Sequence, residues 1–128
     1  MIYYFAKTIE ATFDEAIEKV TALLVENGFG VLTEIDVKAT LKKKLDVDFQ
    51  PYTILGACNP SFAHKALQAE NKIGAMLPCN VVVQDIGEGR IEIAAVDPAA
   101  SMQAVDNPAL EGIAEEVRGM LQAVIEKL

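Results

Sequence analysis

The stretch Asn80-Val81-Val82-Val83-Gln84-Asp85-Ile86-Gly87-Glu88-Gly89-Arg90-Ile91-Glu92-Ile93-Ala94-Ala95-Val96 decides the fold class. Two β-rich runs, 80–86 and 90–96, flank Gly87-Glu88-Gly89, whose glycines permit the positive backbone dihedrals of a tight hairpin. A hairpin makes its two strands antiparallel. Residues 31–37 point the same way: Val31, Thr33, Ile35 and Val37 share one side of a strand and Leu32, Glu34 and Asp36 the other, so one side is the more polar. Unequal faces and a hairpin favour an antiparallel or mixed sheet over a doubly wound one, with helices mainly on one face.

Working outward, Ile2, Tyr3, Tyr4 and Phe5 make residues 2–7 the expected first strand. Thr12 then opens a helix, and Glu15 completes a capping box in which each partner satisfies an otherwise unpaired amide. Phe13, Ala16, Ile17, Val20, Leu23 and Leu24 follow on one face. Asn27 and Gly28 end that helix, with Phe29 folding back as the apolar contact. A short helix is expected over 37–45, a strand over 52–57 after Pro51, and a turn over 73–77. Asn59 is a natural cap and Pro60 a natural first helical residue, which starts a helix over 60–71 that buries Ala63, Ala66 and Leu67. After a loop over 97–106, Asn107 and Pro108 repeat that start, and Leu110, Ile113, Val117, Met120, Leu121, Val124, Ile125 and Leu128 keep helical phase. The fold class is therefore α+β, with about five strands and one domain spanning 1–128.

Composition bounds the partners. Apolar residues make up 52% of the 128 and charged residues 23%, which fits a packed globule whose apolar excess closes an oligomer interface. A net charge of −8 repels phosphate backbones and anionic lipid surfaces, so neither nucleic acid nor membrane is an expected partner. Lys42, Lys43 and Lys44 read as a solvated helix face. The amino-terminal residues carry no export pattern, so a cytoplasmic location is expected, with Cys58 and Cys79 as reduced thiols.

Three separated segments carry a family likeness. Gly30-Val31-Leu32-Thr33-Glu34-Ile35-Asp36-Val37-Lys38, Pro51-Tyr52-Thr53-Ile54-Leu55-Gly56-Ala57-Cys58-Asn59-Pro60 and Ile73-Gly74-Ala75-Met76-Leu77-Pro78-Cys79-Asn80-Val81-Val82-Val83 occur in that order. Together they resemble the domain-of-unknown-function family 302. The resemblance implies a single copy of the TATA-binding-protein-like α+β fold, a curved antiparallel sheet with helices, often as a homodimer. It implies neither DNA binding nor any agreed catalytic residue.

One constellation has possible chemistry. Cys-Asn occurs at Cys58-Asn59 before a helix and at Cys79-Asn80 before a strand, and His64 is the only histidine. A thiol just outside a helix amino terminus feels the positive end of the helix, which stabilises thiolate. Cys58, Asn59, His64, Cys79 and Asn80 are thus the candidate ligand-binding residues, for thiol exchange or a soft metal. Against this, no Cys-x-x-Cys or paired-histidine spacing marks a metal site, so no metal or other cofactor is assigned. The plainer reading makes both thiols small buried hydrophobes, the asparagines turn residues and His64 a surface residue. The leading expectation is a non-enzymatic small-ligand-binding or regulatory homodimer, and the alternative a thiol-dependent enzyme, redox or metal-binding protein using Cys58 with Cys79 and His64.

Overall fold

In the computed structural model, which describes residues 2–128, local capping chemistry sets the helix boundaries. Thr12 Oγ1 accepts from the Glu15 amide and the Thr12 amide donates to Glu15 Oε1, both at 3.2 Å, so the capping box opens α1 (Phe13–Glu26). At its other end Gly28 takes a φ of +86°. There the Phe29 amide donates to Leu24 O and the Gly28 amide to Val25 O, closing the helix on carbonyls of its last turn. Phe29 is thereby turned inward and is 3% exposed.

The strands are β1 (Tyr4–Glu10), β2 (Gly30–Asp36), β3 (Tyr52–Cys58), β4 (Cys79–Gly87) and β5 (Arg90–Val96), in one five-stranded sheet of order β1-β5-β4-β3-β2 with every neighbour antiparallel. The hairpin between β4 and β5 turns on Glu88 and Gly89, both with positive φ as a two-residue primed turn requires. The remaining helices are α2 (Val37–Leu45), α3 (Pro60–Ala69), α4 (Pro98–Ser101) and α5 (Glu111–Glu126), with short 3₁₀ turns at Ile73–Met76 and Pro108–Leu110. This is the α+β, antiparallel, five-stranded class expected from the sequence.

The sheet buries one face. Leu55 and Ala57 of β3, Val81 and Val83 of β4, and Ile91, Ile93 and Ala95 of β5 alternate into a core closed by Ala16, Val20 and Leu24 of α1 and by Val117, Leu121 and Val124 of α5. A smaller cluster of Ala66, Ile73, Met102, Leu110 and Ala114 ties α3 to α5. Lys7 Nζ donates to the carbonyl oxygens of Leu128 at 2.5 Å and Glu126 at 3.3 Å, placing a cation at the negative end of α5.

Several local expectations shift. The first strand runs three residues beyond residue 7, because its ladder with β5 continues to Glu10 opposite Arg90. In β2 an irregularity places Val31 opposite Ala57 but Thr33 opposite Gly56, so Val31 and Thr33 face opposite sides rather than sharing one. Helix α3 stops at Ala69, and Leu67 is 45% exposed because the helix turns Ala66 inward instead. The loop expected over 97–106 contains α4, capped by Asp97. No residue of α2 is buried, so Lys42, Lys43 and Lys44 lie on a solvated helix as expected.

Candidate functional site

Strand pairing brings the two cysteine positions to one end of the sheet. Ala57 stands opposite Cys79, so the end of β3 and the start of β4 meet at one end of the sheet, beneath α3 and α5. Cys58 and Cys79 both line a cavity there, walled by Phe29, Phe62, Leu77, Met102, Ile113 and Val117. Its volume is about 30 Å³, enough for a water-sized guest and far below the space an organic ligand requires. Cys79 is buried, and burial first, then the nearby Cys58, pushes its thiol from the ordinary 9.0 up to about 11. At neutral pH Cys79 therefore carries its proton. Cys58 is half-buried and stands one residue before the cap of α3.

Asn59 holds that corner with both ends of its amide. Its Oδ1 accepts from the Phe62 amide at 3.1 Å, capping α3, while its Nδ2 donates to Gly28 O at 3.0 Å, tying α3 to the end of α1. His64 is exposed on α3 and lies outside the cavity lining. Asn80 follows Cys79 in β4 and therefore points to the opposite face of the sheet. The five expected residues thus divide: Cys58, Asn59 and Cys79 share the cavity, His64 faces solvent, and Asn80 joins a different feature.

That feature is a groove on the face of the sheet opposite α1 and α5. Tyr3, Tyr4, Tyr52, Asn80, Val82, Gln84, Glu92, Ala94 and Val96 line it, and it is open to solvent with a volume of about 400 Å³. Tyr3 and Tyr4 meet edge to face, with ring centroids 5.2 Å apart. Gln84 donates to Glu92 Oε1 at 3.0 Å and accepts from Gln50 Nε2 at 2.8 Å, a side-chain ladder across the groove floor. Glu92 is the charged residue of that lining, so the groove disfavours anions.

Against this geometry stand the comparisons with known proteins. The model of a family described as a domain of unknown function, DUF302, matches residues 5–128. The chain belongs to the DUF302 family. This DUF302 domain is also similar to the crystal structure of an uncharacterized conserved DUF302 protein from Bacillus stearothermophilus, at 30% identity and a TM-score of 0.90, over 99% of this chain and 98% of that one. No curated protein matches the DUF302 domain. The family expected from the three sequence segments is therefore the family found.

One polar cluster of the DUF302 domain escapes the sequence reading. Asp97 is 8% exposed; its Oδ1 accepts from the Ala99 amide at 3.0 Å and its Oδ2 from Arg118 Nε at 3.1 Å, while its own amide donates to Tyr3 O at 2.7 Å. Arg118 also lies over the Phe5 ring, 5.2 Å from its centroid. The cluster joins β1, α4 and α5. Asp97-Pro98 repeats the cap-then-proline start of Asn59-Pro60 and Asn107-Pro108, and that pattern was the available signal. Beside it a cleft of about 650 Å³ is lined by Asp106, Glu111 and Glu115, whose charge opposes any anionic guest.

Proposed function

We propose that this DUF302 domain is a non-enzymatic small-ligand-binding or regulatory module that works as a homodimer, with its ligand on the helix-free face of the sheet. One observation carries the reading. The outer face of an antiparallel sheet ordinarily meets water with polar side chains, yet here Tyr4, Tyr52, Val82, Ala94 and Val96 form the groove, with Asn80, Gln84 and Glu92 as its few polar groups. A mostly apolar concavity of about 400 Å³ with a small number of placed polar atoms has the size and character of a small-molecule site. Glu92 and the net charge of −8 favour an uncharged or cationic guest with an aromatic or aliphatic body. A second copy supplies the cover that exposed apolar residues such as Tyr3 and Tyr4 lack in the single chain.

Native mass spectrometry of the purified protein tests this reading. The expected spectrum is a dimer carrying an organic mass, with Val82→Lys giving a bare monomer of unchanged circular dichroism. A bare monomer from the unaltered chain would sink the proposal.

The alternative, thiol-dependent chemistry, is favoured by the position of Cys58, half-buried and immediately before the cap of α3. Rapid alkylation of Cys58 below the pH at which an ordinary thiol ionises would favour it over the ligand-binding reading. His64 gives that chemistry little support, since it faces solvent outside the cavity.

A further inference from the structure

We infer that the arm formed by α2 and the residues that follow it, 46–50, closes the sheet groove of a second copy, so that each chain of a homodimer roofs the site of its partner. The inference rests on the homodimer proposed above and names the segment that completes its groove.

The arm is the first observation. No residue of α2 is buried, and every residue from Lys42 to Gln50 is exposed. Yet Val37, Leu41 and Leu45 recur at four-residue spacing along one side of the helix, and Val47 and Phe49 continue the apolar line beyond it. Leu45 is 65% exposed. The Asp36 cap and the exposed Lys42–Asp46 pair are local supports, but a nine-residue helix whose apolar side lies open is marginal in water and is stabilised by covering that side.

The second observation is where the arm returns to the sheet. Gln50 Nε2 donates to Gln84 Oε1 at 2.8 Å, and the Phe49 ring lies 6.0 Å from the Tyr52 ring, centroid to centroid. Gln84 and Tyr52 both line the groove, so the arm springs from the rim of the face it covers on a partner. Arm and groove on one surface are what a two-fold contact requires, since the same surface serves both chains.

The third observation is that this face is complementary to itself. Strand register sets Ala6, Ala94, Val82, Ile54 and Ile35 side by side across the five strands on the helix-free face. The small residues lie at the β1–β5 end, the large ones at the β2–β3 end, and Val82 between them. A two-fold axis running along β4 lays the large end of one chain over the small end of the other, whereas an axis across the strands sets isoleucine against isoleucine. Charge points to the same axis. Among the described residues Lys43 and Lys44 of the arm form no ion pair, nor does Glu92 of the groove, and the axis along β4 carries the arm to the half of the partner's face that holds Glu92.

The test is sedimentation equilibrium of the full chain, with circular dichroism as the check on folding. The unaltered chain is expected to dimerise. Leu45→Glu on the arm and Ala94→Lys in the groove each place a charge in a dry contact twice per dimer, so each should weaken association by more than about 100-fold with unchanged circular dichroism. An equal mixture of the two variants is expected to recover a dimer, because one arm–groove contact in the mixed pair is native and in the other the introduced carboxylate meets the introduced ammonium. Should Ala94→Lys fail to fold, Ala6→Lys on the exposed edge strand takes its place. A dimer untouched by Leu45→Glu overturns the inference and leaves the homodimer standing, and two monomeric variants that do not recover on mixing overturn it as well. A monomeric unaltered chain overturns the homodimer itself and the inference with it.

Discussion

Cys79 is small, buried and protonated, and those three properties yield a pH signature. Below pH 9 its thiol is protonated in the folded and unfolded chain alike, so it adds no pH dependence. Between 9.0 and about 11 the unfolded chain releases that proton while the folded chain keeps it. The unfolded state then binds fewer protons, so stability falls with rising pH, by roughly 2–3 kcal/mol across the window. Urea midpoints followed from about pH 8 to about pH 11 should drop more steeply for the unaltered chain than for Cys79→Ala. Parallel curves would show that burial of this thiol is not the cause. The Cys-Asn pairs marked this corner in the sequence, because a cysteine flanked by apolar residues and followed by a cap has a local signature. The nearness of the two cysteine positions had none, since it depends on the pairing of β3 with β4.

Asn59 shows how one side chain organises two elements. It caps α3 through its oxygen and holds the end of α1 through its nitrogen. Asn59→Ala should therefore cost about 1–2 kcal/mol in chemical denaturation, and Asn59→Asp, which keeps the accepting oxygen and loses the donor, distinctly less. Equal costs would place the main contribution in the link to Gly28 rather than in the cap. The capping half of this was readable from Asn59-Pro60, as were the Thr12–Glu15 box and the Asn107-Pro108 start, because caps depend on residues a few positions apart. The irregularity in β2 was not readable. Gly56 lies where an added Cβ would strike the Thr33 side chain and come within 2.8 Å of the Pro78 ring, a crowding set by three separate segments. The register shift between Val31 and Thr33 reverses the facing of the strand, which its own alternation does not show.

Across the whole molecule, stability rests on one helix layer packed against one sheet face. Leu121 is fully buried between α5 and the sheet, whereas Leu67 on α3 is 45% exposed. Leu121→Ala should cost about 3–5 kcal/mol and Leu67→Ala under about 0.5 kcal/mol, read as shifts in denaturation midpoint at constant slope. A large cost at Leu67 would mean that a second copy covers it in solution. Both leucines looked alike in the sequence, each in helical phase with apolar neighbours, and only the docking angle of each helix separates them. By itself the sequence determined the α+β class, the antiparallel hairpin, most helix starts and the DUF302 family, since these follow from periodicity, caps and turns written within a few residues of one another. Tertiary structure alone decided that Cys58 and Cys79 share a cavity, that His64 stands apart from them, that Asn80 belongs to a groove on the far face, and that Asp97 is bonded to Arg118. Each of those facts depends on segments that meet only after the sheet has ordered its strands and the helices have covered one of its faces.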